Sequence, residues 1–106
     1  GKCIYPTPAG FSLDSSPPTV KGKIVQIEPD AIFLKSGSSA NPDAPEQVKI
    51  DNKTRIVTIS GEYVDKSELT PGQDAYIWYE GCKLPKKGQL PYAVVVKIDT
   101  KLPNKK

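Results

Sequence analysis

The stretch QDAYIWYEGC, residues 73–82, decides the fold of this chain. Ala75, Ile77 and Tyr79 alternate with Tyr76, Trp78 and Glu80. A period of two places the first set on one face of a β-strand and the second set on the other. Pro71-Gly72 stands before it as a breaker pair, and Ser67 to Leu69 predict one helical turn ahead of that. Downstream, the basic loop KLPKKGQLP (83–91) leads into YAVVVKID (92–99), a last strand with Val94, Val96 and Ile98 expected on one side.

Working toward the N-terminus, TRIVTI (54–59) follows an Asp51-Asn52 turn. Ile56 continues an inward pattern there, with Val57 and Ile59 competing for the same role. EQVKID (46–51) points Val48 and Ile50 inward and Gln47 and Lys49 outward. SGSSANPDAP (36–45) is a polar loop without core residues. Before it, AIFLKS places Ile32 and Leu34 on one face, and Pro29-Asp30 turns it back on TVKGKIVQIE (19–28). That run alternates through Val20, Gly22 and Ile24, then slips phase to Ile27. Such a slip marks a β-bulge in a long, coiling strand, and Gly22 leaves room for another backbone to pass closely.

Composition agrees with strands. The chain has 106 residues, enough for one domain, and 11 prolines, each of which removes a backbone donor and disfavours a helix interior. Valine and isoleucine number 17 against six leucines and six alanines, a bias that suits pleated surfaces. Five main strands are expected in a single all-β domain over residues 19–100. An extended, proline-rich arm (1–18) precedes it, and a flexible basic tail (101–106) follows.

The order Val20-x-Gly22-x-Ile24-x-x-Ile27, Ile32-x-Leu34, Val48-x-Ile50-Asp51-x-x-Thr54-x-Ile56, Leu69-x-x-Gly72-Gln73-x-Ala75-x-Ile77 and Ala93 resembles bacterial secreted domains of the OB-like small-barrel type over residues 19–99. The resemblance implies a small five-stranded OB-like barrel and an envelope location. It implies no assigned activity.

Cys3 and Cys82 belong to no Cys-x-x-Cys or Cys/His pattern, which argues against zinc and thioredoxin-like roles. Bonded, they tie the arm to the end of the strongest strand; the alternative is two unrelated buried thiols. Lys2 stands where a lipid-anchor cleavage site wants a small residue. No signal segment is visible and no Met is present, as in a mature or trimmed chain. Cysteine pair, prolines and lysines together predict an exported protein, periplasmic or extracellular. Asn52-Lys53-Thr54 formally matches a glycosylation acceptor and is read as a turn.

No run of 18 apolar residues is available for a membrane-spanning helix. With no His and one Arg, the materials of most metal sites and triads are missing, and no metal or cofactor is expected. The carboxylates lie in turns or beside lysines, no pair of them can be nominated for acid/base work, and no S-x-x-K motif supplies a Lys base. Enzymatic activity is not expected. Two surfaces remain as candidates. Tyr76 and Trp78 form an aromatic platform on the outer strand face, unless the arm covers them with Ile4, Tyr5, Phe11 or Leu13. Lys83, Lys86 and Lys87 crowd the following loop, where the bland alternative is a solvated surface. The leading expectation is a non-catalytic binding or accessory module of the bacterial envelope or exterior, engaging a protein or glycan through these residues. The alternatives are a single-stranded nucleic-acid binder of the OB kind, which a net charge of +3 disfavours, and an inhibitor presenting a loop to a target enzyme.

Overall fold

Val20–Glu28 forms the longest strand, β1, and its sequence explains its shape. Its register against β2 (Ala31–Lys35) shifts between Ile24 and Gln26, the bulge that the slip from Ile24 to Ile27 predicts. At Gly22 a Cβ atom would stand 2.8 Å from the Lys35 carbonyl oxygen, so only a residue without a side chain lets the two backbones approach. The structure, a computed structural model, describes residues 3–6, 15–35 and 45–99. The basic tail, the middle of the arm with Phe11 and Leu13, and most of the polar loop lie outside the described residues.

The remaining strands are β3 (Glu46–Lys49), β4 (Arg55–Thr58), β5 (Tyr63–Val64), β6 (Asp74–Tyr79) and β7 (Ala93–Ile98), with a turn of 3-10 helix at Lys66–Glu68. They make one sheet in the order β3-β2-β1-β6-β7-β4-β5. All pairings are antiparallel except β4 with β7, which is parallel. The all-β expectation is met, but the strand count and closure are corrected. Among the described residues there are seven strands because the chain bends at Asp51 to Thr54, dividing β3 from β4, and because Tyr63–Val64 adds a short edge strand. The sheet is open, not a closed barrel. Among the described residues β3 meets the start of β7 through a single bridge, Lys49 to Tyr92, where the Lys49 N–H donates to the Pro91 carbonyl (2.8 Å).

One face of the sheet holds the core. Ile24, Ile32, Leu34, Val48, Ile77 and Ile98 are fully buried there, each worth about 1.5–3 kcal/mol of transfer free energy. Ile56 joins them as expected, whereas Val57 points to the other face and Ile59 is exposed. Val94 is a second correction. A register shift pairs Trp78 with Val95 and Tyr79 with Ala93, so Ala93 takes the inward place and Val94 is half-buried against the outer cluster.

Candidate functional site

β6 carries the residues on which the site was expected, and their facing follows the alternation. Ala75, Ile77 and Tyr79 enter the main core, and Tyr76 and Trp78 turn to the outer face. Burial with Glu46 nearby pushes the Tyr79 phenol up to about 12, so it stays neutral.

Trp78 is not an open platform. It is 4% exposed and packs with Val57, Val95, Tyr5 and Cys82 in a second, smaller core. Its indole N–H donates to the Ser16 carbonyl (2.7 Å). Residues 3–6 and 15–18 supply this cover. Ile4 and Ser16 are joined by two hydrogen bonds, the Ser16 N–H to the Ile4 carbonyl and the Ile4 N–H to the Ser16 hydroxyl, each 2.9 Å. The Tyr5 hydroxyl accepts from the Gly81 N–H (2.8 Å), and the Cys3–Cys82 disulfide is formed, with Cα atoms 5.5 Å apart. The described parts of the arm thus lie where the covered alternative put them, with Tyr5 and Ser16 against Trp78. Tyr76 escapes the cover and is half-buried at its border.

Lys83, Lys86 and Lys87 are exposed on the loop after Cys82, which also exposes Leu84 (74%) and Leu90 (52%). The base of this loop is anchored and its tip is turned. At its base the disulfide holds Cys82, and the Glu80 N–H donates to the Tyr92 carbonyl (3.2 Å). At its tip the Gln89 N–H closes a turn on the Lys86 carbonyl (3.0 Å), with Gly88 at a φ of 85° that favours glycine. A groove of about 260 Å³ runs beside it, walled by Tyr79, Glu80, Leu84, Leu90 and Tyr92.

At the far wall of this groove, Tyr92 is held by a group that the strand alternation does not reveal. Its hydroxyl donates to Asp51 Oδ1 (2.7 Å), which also accepts from the backbone N–H groups of Lys53 (2.8 Å) and Thr54 (3.1 Å). The Tyr92 hydrogen bond, with those from the backbone, holds the Asp51 carboxyl below the ordinary range. Burial and then the Asp51 bond push Tyr92 up. A depressed folded-state pKa contributes stability that is complete above the unfolded value, about pH 4, and is lost as pH falls through the folded one. Asp51→Asn is therefore expected to flatten the acid limb of the stability curve, measured by urea unfolding between pH 7 and pH 2. An unchanged limb would show that Asp51 does not carry it.

Tyr76 and Trp78 share a strand face but not a surface, and the three lysines stand on the loop beyond it. The lysines at 21, 23, 35 and 97 went unnominated in the sequence, although alternation around Gly22 puts two of them on the outer face. Among the described residues no group of His, Cys, Asp or Glu could hold a metal ion, and no helix is long and apolar enough to cross a membrane. The disulfide is compatible with an exported protein. No protein-family model, no curated protein and no solved structure matches the chain.

Proposed function

We propose that the protein is a non-catalytic binding module of the bacterial envelope or exterior, and that the loop of residues 83–90 is what it presents to a protein partner. The observation that carries this reading is the pairing of rigidity with exposure. The loop is anchored at its base and closed by a turn at its tip, yet it offers Leu84 and Leu90 to water beside three ammonium groups. A preorganised loop loses little freedom on docking, and exposed leucines rimmed by cations suit an apolar patch bordered by carboxylates. Burial of Trp78 favours this loop over the indole as the element that meets a protein. The fold is read as an open relative of the OB-like small barrel. β3 and β4 count as one bent strand, and the parallel β4–β7 pair and the Lys49–Tyr92 bridge take the places where closure would occur.

Site-specific photocrosslinking in the source cell tests the reading. A photoreactive residue at position 84 or 90 is expected to give a discrete protein adduct, and the Lys83/Lys86/Lys87→Ala variant is expected to lose it. The control is Tyr63, comparably exposed at 57% but on the β5 edge. Equal labelling from position 63, or none from the loop, removes the loop as the docking element.

A further inference from the structure

We infer that the outer face of β1, β2 and β6 binds an acidic sugar unit, a uronate carried by a glycan, between the side chains of Lys21 and Lys35 and against the ring of Tyr76. Strand register places these groups together. Lys21 lies directly opposite Tyr76, Tyr76 opposite Lys97, and Lys23 opposite Lys35. Residues opposed across a ladder share a face, and this face is the one turned away from the core.

Lys23 and Lys35 are like charges directly opposed, and the Asp74 carboxylate answers only Lys23. Among the described residues neither Lys21 nor Lys35 has a carboxylate partner, since Asp74 is engaged by Lys23 (3.2 Å). Asp99 beside it accepts the Asp74 N–H (3.1 Å) at the end of the face. Lys35 thus faces a like charge with no carboxylate of its own among the described residues, a cation that an acidic ligand would answer.

The shape selects the class of ligand. The depression over β1, β2 and β6, lined by Lys21, Lys23, Lys35, Tyr76 and the Lys23-paired Asp74, has a volume of about 380 Å³, room for one or two sugar rings. Tyr76 gives it a flat apolar floor, with the Lys97 Nζ 5.9 Å from the ring centroid. A pyranose offers such a floor its C–H face while its carboxylate reaches an ammonium. Lysines act as separate point charges, which suits carboxylates spaced along a polymer, whereas paired forks on one phosphate call for arginine. Single-stranded nucleic acid is served by several stacking rings in succession, and among the described residues lining the depression Tyr76 alone is aromatic.

Native affinity electrophoresis of the intact, oxidised protein tests the site with polygalacturonate in the gel and neutral dextran as the control. Retardation by polygalacturonate alone is expected. The Lys21→Gln/Lys35→Gln double variant should weaken it about tenfold, consistent with two exposed charges. Lys35→Gln alone should raise the melting temperature while weakening binding, a combination that a purely structural lysine does not give. The Lys83/Lys86/Lys87→Ala variant should bind as before, so failure of the loop reading leaves this site standing. Equal retardation by dextran, unchanged binding by the double variant, or displacement of the polymer by charge-matched oligothymidylate at lower concentration would overturn the assignment.

Discussion

Reduction of the Cys3–Cys82 bond lowers the free energy of unfolding by about 4.5 kcal/mol and moves the Trp78 emission to longer wavelength. The first figure follows from the 79 positions that separate the cysteines. In the chain-entropy account, opening a loop of that length returns about 15 cal/mol/K of freedom to the unfolded chain. A domain of this size has about 5–15 kcal/mol in all, so the reduced form sits near its folding threshold at 37 °C. The second expectation comes from the cover. Tyr5 is held over the small core by the disulfide, by its own bond to Gly81 and by those of Ile4 with Ser16, and without the covalent tie that segment is left to bonds worth about 1 kcal/mol each. Urea unfolding with and without reductant, followed by circular dichroism and fluorescence, measures both. A reduced protein within 1 kcal/mol of the oxidised one, with unshifted emission, would falsify this account.

Trp78→Ala costs about 3–5 kcal/mol, the range for deleting a large buried aromatic. The indole fills the space between Val57, Val95 and Tyr5, so its removal opens a cavity under the arm and leaves the Ser16 carbonyl without its donor. Trp78→Phe refills most of the volume and should recover more than half of the loss. The two variants also separate roles for the residue. An exposed recognition tryptophan would tolerate alanine with less than 1 kcal/mol of damage, whereas the measured midpoint of a buried one must fall steeply.

The inward faces were legible because they depend on periodicity alone. Val20, Gly22, Ile24 and then Ile27 announce both the strand and its bulge, and Ala75, Ile77 and Tyr79 announce the core. What escaped depends on pairing between distant residues. Val94 and Ala93 exchange places because of a register shift that only the β6 partner imposes. The Asp51-Asn52 turn is visible, yet whether it joins two strands of a hairpin or bends one strand is decided by the parallel partner β7, some 40 residues downstream. The fate of Trp78 hung on an arm with no periodicity of its own, so strand alternation leaves the covered and the open indole equally allowed. The lysines of the outer face were individually obvious as exposed positions. Their convergence around Tyr76 is a property of register, which no single strand contains.

The place of β7 between β6 and β4 has a consequence for how the molecule is made. Of the seven strands it is the last in chain order, yet it is interior to the sheet and joins the β3-β2-β1-β6 part to the β4-β5 part. A nascent polypeptide emerging N-terminus first has no mate for Arg55–Thr58 on that side until Ala93–Ile98 follows, so its two halves stay apart until synthesis or translocation has delivered that segment. Assembly is therefore a late, whole-chain event, and a chain cut short after the basic loop would leave two unsatisfied ribbon edges exposed to other chains.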